Sequence, residues 1–291
     1  MNAPFRKIAV AVAFSPRILA ILSEAARLKV LWNAELNLIH VGSKTDGAQN
    51  QLRRYLEEVG LADLPDVKIF WESGNPAERI LSRCKKEQVD LLIAGALKKE
   101  KLIRYYLGTI GRRILRRADC SVLTLINPSK DPVPFQNIVV NAENSNHVKD
   151  ALRITCEIAQ ADNAKWLHIV RGIKMYGLTM SAAGNTSATE YEELRQTLVQ
   201  DEITFVQKLL EGVSHQGLKV NIKVVSGKSG FELSRFAQRK NADLLVVGAP
   251  AKRFSIFDRV FTNDLEYVFA DLPCNLLIVH PSRNKNRETG S

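Results

Sequence analysis

Eight cationic side chains, Lys98, Lys99, Lys101, Arg104, Arg112, Arg113, Arg116 and Arg117, crowd the stretch 98–117 against one acid, Glu100, with Tyr105 and Tyr106 among them. Such a composition could hold a polyanion. Arg112, Arg113, Arg116 and Arg117 fall at helical neighbours, so a helix there gathers them into one cluster. No nucleic-acid motif frames them. The favoured reading is a solvated helix face paired with acids from elsewhere, such as Glu57 and Glu58, and nucleic acid is not an expected partner. The histidines His40, His147, His168, His215 and His280 make no metal-ligand spacing with one another or with cysteine. His40 and His168 lie on strand signals, as packed core histidines would. Cys84, Cys120, Cys156 and Cys274 contain no CxxC pair and sit in strongly patterned segments, which predicts buried, reduced thiols. Ser15 and Ser145 each follow a strand signal where a helix N-cap belongs, and no GxSxG elbow or paired-carboxylate motif stands out. The expectation is therefore a protein that is not an enzyme, with no catalytic residue and no metal site.

The elements that must carry these residues are written twice. Val89-Asp90-Leu91-Leu92-Ile93-Ala94-Gly95-Ala96 recurs as Ala242-Asp243-Leu244-Leu245-Val246-Val247-Gly248-Ala249, displaced by 153 positions, and the same displacement carries Gly74 onto Gly227. Cys120-Ser121-Val122-Leu123 matches Cys274-Asn275-Leu276-Leu277 at 154, and Lys7-Ile8-Ala9-Val10 matches Asn137-Ile138-Val139-Val140 at 130. Landmarks in one order at these offsets mean two copies of one domain, the second enlarged by an insertion of about 23 residues. In the first copy, strand signals at 8–13, 34–41, 67–71, 91–94 and 122–126 alternate with helix signals at 17–32, 47–59, 77–87 and 103–117. The second copy repeats the order: strands 137–142, 164–170, 219–225, 243–248 and 275–280, helices 145–161, 230–240 and 257–270. Its insertion also ends in a long helix with a capping box at Thr189-x-x-Glu192 and an apolar face from Leu194 and Leu198 through Phe205, Val206, Leu209, Leu210 and Val213. Such alternation predicts an α/β fold of two tandem doubly wound, mostly parallel five-stranded sheets.

Length and composition agree with this layout. The 291 residues divide into a first domain, 1–127, a Pro-rich linker, 128–136, and a second domain, 137–281, with the insertion at about 171–190 and a polar tail at 282–291 expected to be disordered. The charge is uneven: residues 1–128 hold 21 Lys/Arg against 13 Asp/Glu, so most of the net +10 belongs to the first copy. No apolar run approaches the roughly 18 residues that span a bilayer, so no membrane partner is expected and the cytoplasm is the expected compartment.

With its strand-ending Asp90-Leu-Leu-Ile-Ala-Gly95, its Leu107-Gly108-Thr109 before a basic helix, its Ala118-Asp119-Cys120-Ser121-Val122-Leu123 and its His40-Val41, the chain resembles the universal stress protein family in its tandem form, over residues 5–281. The resemblance implies a sheet of the nucleotide-binding, adenine nucleotide alpha hydrolase-like type. It also implies that the last strands of the two domains pair across a pseudo-twofold, so that one chain looks like the family's homodimer; a homodimer of the chain itself is a further expectation. Members that bind ATP carry, after the fourth strand, a loop reading Gly, two residues, Gly, nine residues, Gly, Ser/Thr, and an Asp at the end of the first strand. Glycines let the backbone approach phosphates, and the closing Gly-Ser/Thr offers amide and hydroxyl donors at a helix start.

By that resemblance the first copy is expected to hold an adenine nucleotide, ATP or AMP, or another anion through Gly95, Lys98, Gly108 and Thr109. Lys98 stands in place of the middle glycine, with Lys99 and Lys101 adding charge, and Ala13 stands where the acid belongs. The alternative is a relic turn that only caps strand and helix. No nucleotide is expected in the second copy, where Gly248 remains but Ala251, Thr262 and Asn263 replace the later positions, although Glu143 ends its first strand. Function then follows one of two lines. The chain is a stress-response protein sensing a nucleotide or anion, or an interaction protein without nucleotide that uses the basic helix 104–117 and the insertion 171–190. Met175, Tyr176, Leu178 and Met180 would face a partner there, cover the second copy's pocket, or pack beneath the long helix.

Overall fold

The first strand, β1 (Lys7–Val12), alternates its side chains between two apolar layers: Ile8, Val10 and Val12 enter one, Ala9 and Ala11 the other. That two-faced burial requires helices on both sides of the sheet, and the computed structural model has them. It describes residues 3–98, 105–143, 147–173, 188–227, 229–249 and 263–281. After β1 come α1 (Ile18–Trp32), β2 (Glu35–Val41), α2 (Asp46–Glu58), β3 (Val67–Glu72), α3 (Pro76–Lys86) and β4 (Leu91–Gly95). The short strands β5 (Leu97–Lys98) and β6 (Tyr105–Tyr106) follow, then α4 (Thr109–Arg117) and β7 (Ser121–Leu125). The second half runs β8 (Asn137–Asn141), α5 (Val148–Ala161), β9 (Trp166–Ile173), α6 (Ala188–Glu211), β10 (Val220–Ser226), α7 (Ser229–Arg239), β11 (Leu244–Gly248), α8 (Asn263–Ala270) and β12 (Asn275–Val279). Side chains of α1, α2, α5 and α6 fill one layer, those of α3, α4, α7 and α8 the other.

The two five-stranded sheets are present, and they are fused. Strand order is β10-β9-β8-β11-β12-β7-β4-β1-β2-β3, parallel within each half and antiparallel only where β12 meets β7. At that seam Leu276 lies opposite Thr124, Leu277 opposite Leu123, and Ile278 opposite Val122. The repeat offset of 154 carries Leu123 onto Leu277, so Leu123 faces its own equivalent and the pseudo-twofold passes through that pair. The ends of the seam are closed symmetrically as well. Ser121 Oγ accepts the amide of His280 at 3.1 Å, and Asn275 Oδ1 accepts the amide of Ile126 at 3.0 Å; both donors and both acceptors are related by 154. Backbone amides beyond the last ladder bond would otherwise lack partners.

The repeated Asp in an otherwise apolar strand has a local cause. Asp90 Oδ2 accepts the amides of Arg6 (3.1 Å) and Lys7 (3.0 Å), and Asp243 Oδ2 accepts those of Gln136 and Asn137 (both 2.8 Å). Each carboxylate thus pins the start of its half's first strand beside the fourth, with charge-assisted bonds. The repeated glycines Gly74 and Gly227 precede α3 and α7 with φ of +114° and +128°, a backbone region that disfavours any other residue. The linker is fixed by charge. Arg27 bridges Glu24 (2.7 Å) and Asp162 (2.6 Å) and stacks 5.1 Å from the Phe135 ring, while Asp162 Oδ2 accepts the Phe135 amide. Burial draws the Glu24 carboxyl above its usual range, against the pull of Arg27.

Several local expectations are corrected. The basic helix opens at Thr109, not at 103, because Tyr105 and Leu107 run extended: the Tyr105 carbonyl accepts the Leu272 amide and the Leu107 amide reaches the Phe269 carbonyl, both at 3.0 Å. Tertiary bonding overrides helix propensity there. Ser15 is not a side-chain cap: α1 begins at Ile18 with Arg17 at the N-cap, and only the Ser15 backbone carbonyl meets the first turn. Thr189 lies inside α6, which already includes Ala188. Val206, Leu209 and Leu210 of that helix are buried, but Leu194 and Leu198 are exposed, so only its C-terminal part packs. Ser145, Met175, Tyr176, Leu178 and Met180 lie outside the described residues.

Because Asp243 receives two short amide bonds, Asp243→Ala should cost about 1–3 kcal/mol, and Asp90→Ala, with its longer and more exposed bonds, about 0.5–1.5 kcal/mol. Urea denaturation of the two variants measures both; the reverse order would contradict the assignment.

Candidate functional site

The residues assigned to a phosphate loop are brought to one end of the sheet, at the carboxyl end of β4. Gly95 closes β4 opposite Leu125, and the Ala96 amide continues to the Leu125 carbonyl at 2.8 Å. The backbone of Lys98 pairs with Tyr105 in the β5–β6 ladder, which returns the chain to Gly108 and Thr109. Gly108 is the N-cap of α4, and Thr109 is exposed in its first turn, which carries no acidic residue. Lys99, Lys101 and Arg104 lie outside the described residues.

Both loop glycines have causes within the chain. Neither has positive φ; what each lacks is room. A Cβ on Gly95 would come within 2.8 Å of Ile21 Cδ1, and one on Gly108 within 2.5 Å of Leu97 Cδ1. The space that a side chain would need at each glycine is therefore filled by the chain's own aliphatic side chains. Sequence reasoning also missed Arg17. Its guanidinium donates to the carbonyls of Ala96 and of Ile126 (3.1 Å for the latter), and lies 5.7 Å from the Tyr105 ring. Tyr105 in turn donates to Asn127 Oδ1 at 2.9 Å. The ends of β4 and β7 are thus clasped by one cation, whose only sequence signal was its place just after the first strand. Ala13, where the resemblance expects an acid, is exposed.

The aromatic surroundings of β1 are equally filled. His40 is half-buried between Phe14 (4.8 Å) and Trp71 (4.9 Å), and its Nδ1 lies 3.0 Å from the Val12 carbonyl. It is a packed histidine, as expected. So is His168, 4% exposed, with Nδ1 at 3.0 Å from Asn221 Nδ2. Burial, reinforced by Lys240, holds its pKa below the ordinary 6.5. All four cysteines are buried and none forms a disulfide; burial, with Glu157 nearby, pushes Cys156 up to about 12, and burial raises Cys274 too. Thiols held protonated in this way are poor nucleophiles. Among the described residues no three His, Cys, Asp or Glu side chains converge as a metal site needs. In the second half Gly248 closes β11, whereas Ala251 and Thr262 lie outside the described residues.

The basic helix is paired, though not with the acids expected. Arg112 and Arg116 both grip Glu266 of α8, the latter at 3.2 Å, and Arg117 lies 3.5 Å from Glu78. Glu57 and Glu58 instead engage Arg53 (3.0 Å) and Lys130 (3.1 Å). The expected cluster therefore joins the halves, and of its four arginines Arg113 has no ion pair among the described residues.

Comparison with known proteins bears on these features. The universal stress protein family model matches residues 4–125 and again 134–280. A universal stress protein of Methanocaldococcus jannaschii is 26% identical over 145 residues, 44% of this chain and 85% of its own length. A Pseudomonas aeruginosa protein of unknown function superposes with a TM-score of 0.67 at 20% identity, covering 95% of this chain and 93% of that one. A universal stress protein from Archaeoglobus fulgidus does so with 0.65 at 13% identity, covering 97% and all of that chain. These structural likenesses are ones of fold. A universal stress protein solved in complex with cAMP also matches, over 31% of this chain at 19% identity and a TM-score of 0.28, too slight a likeness to carry its ligand across. No helix among the described residues is long and apolar enough to cross a membrane. The chain belongs to the universal stress protein family, with two such domains in tandem.

Two measurements check the packing described around these groups. Ile21 is 6% exposed and cannot easily yield, whereas Leu97 is 50% exposed. Gly95→Ala should then cost about 1–3 kcal/mol of stability and Gly108→Ala less than about 1 kcal/mol. For His168 the depressed pKa means that the unfolded chain binds more protons at this residue. Its contribution is present above pH 6.5 and lost as pH falls through the folded value. Stability measured by denaturation should decline over that interval, and His168→Gln should flatten the decline.

Proposed function

We propose that this chain is a non-enzymatic stress-response protein that works by binding a partner, and that the loop of its first half does not sense an adenine nucleotide. One observation carries this reading: the bare faces of Gly95 and Gly108 are met by Ile21 and Leu97, while Arg17 ties the neighbouring strand ends together. A loop built for phosphate would leave those faces and donors open. Its glycines here serve packing. The nucleophilic residue types point the same way, with every cysteine buried and His40 and His168 engaged in packing. Of the surfaces the sequence offered, the basic helix spends Arg112 and Arg116 on the other half. The outer part of α6, with Leu194 and Leu198 exposed, is the better candidate for contact with a partner.

A rival reading draws on Thr109, exposed in a helical first turn that carries no acidic residue. There an adenine nucleotide or other anion would sit at Gly95, Lys98, Gly108 and Thr109. Amide resonances of Gly95, Gly108 and Thr109 in the full chain separate the two. No saturable shift is expected at these three positions with millimolar Mg-ATP or AMP. Saturable shifts there, abolished by Gly108→Ala, would establish the rival.

A further inference from the structure

The amino-terminal edge of the second half differs from its repeat in a way that the fold does not require. Strand registers match the two edges residue by residue. Lys7 pairs with Glu35 as Asn137 pairs with Trp166, and Asn37 with Lys68 as His168 with Asn221. The repeat offset of 153 sets Lys86 and Glu87 against Arg239 and Lys240. In the first half this edge carries two acids, each paired with a cation: Glu35 lies 3.7 Å from Lys7 and 4.0 Å from Lys68, and Glu87 binds Arg83 at 3.1 Å. In the second half the two acids are replaced by Trp166 and Lys240.

What results is an open cavity of about 410 Å³ lined by Asn137, Trp166, His168, Asn221, Arg239 and Lys240, within the size range of small-molecule sites. Its floor is aromatic and oriented. The Trp166 ring, 43% exposed, stacks on His168 at 5.8 Å and 12°, and His168 meets Phe236 edge-on at 5.5 Å. Its rim is cationic. Arg239 and Lys240 both line it, with Arg239 Cζ and Lys240 Nζ lying 6.0 and 5.9 Å from the Phe236 ring. Neither has a carboxylate partner among the described residues; Asp243 nearby spends its Oδ2 on the amides of Gln136 and Asn137. Two uncompensated cations beside an exposed indole face, with the amides of Asn137 and Asn221 between strands, match a planar ring that carries a dianion.

We propose that this edge is a binding site for a small aromatic phosphate, its ring on Trp166 and its phosphate between Arg239 and Lys240. The site lies at the amino-terminal ends of β8 and β9, in the half that does not carry the phosphate-type loop, and its occupancy does not depend on the function proposed above. Phenyl phosphate is the probe, titrated into the full chain with tryptophan fluorescence and calorimetry as readouts. Saturable binding is expected, with inorganic phosphate and benzyl alcohol each at least tenfold weaker. The double variant Trp166→Glu/Lys240→Glu restores the first half's residues at both positions and should weaken phenyl phosphate at least tenfold. The single variant Lys240→Ala, at an exposed helix end, should weaken it severalfold with an unchanged circular dichroism melt. No saturable binding, equal binding of inorganic phosphate alone, or undiminished binding by a folded Lys240→Ala variant would each overturn the proposal.

Discussion

Everything in this molecule is arranged about the antiparallel contact of β7 with β12. Each half alone would end in a strand that is apolar on both faces and unpaired along one edge, an arrangement that invites association. Joining the two edges removes both at once and makes the apolar layers continuous across the halves. Strand direction makes this possible. Two equivalent last strands related by a twofold must run antiparallel, and the pairing of Leu123 with Leu277 places the axis through them. Ser121 and Asn275 differ in type yet serve the same end, each accepting the amide that the other strand leaves over.

From the seam outward, the repeat preserves what the backbone needs and varies what it does not. Asp90 and Asp243 collect paired amides at the strand starts, and Gly74 and Gly227 adopt conformations closed to other residues. Between the halves symmetry is relaxed. Arg112 and Arg116 of α4 reach Glu266, and the extended 105–107 segment bonds to the end of α8. The position of Arg27, which joins the linker to the second half, is filled in the repeat by Glu157, paired with Arg153 on its own helix. These contacts tie a basic first half to a nearly neutral second half through charges that the composition alone suggests are free.

The fold was legible in the sequence because its signals are local and doubled. Apolar runs such as Leu91 to Ala94 announce strands buried on both faces, and a second copy at fixed offset confirms each one. The family was legible for the same reason. The candidate site was not, because its meaning depends on tertiary neighbours. Gly95 and Gly108 look alike whether phosphate or a leucine methyl faces them, and only packing shows that Ile21 and Leu97 do. Arg17 carried no motif, since two carbonyls from distant strands make its site. The arginine cluster was recognised, but partners such as Glu266, 150 or more residues away, cannot be read from spacing. The Trp166 edge emerges only when the two halves are compared through their strand registers.

The seam and the candidate phosphate loop are separate features of this fold, and under the proposed function the chain keeps the seam while Ile21 and Leu97 pack against the loop's two glycines. That separation predicts that its cooperativity resides in the ten-stranded sheet as a whole. Hydrogen–deuterium exchange of the full chain tests it most directly. If the halves are one structure, amides of β7 and β12 should exchange as slowly as those of β4 and β11, all through global unfolding. Fast exchange confined to β7 and β12, while the inner strands of either half stay protected, would contradict the account.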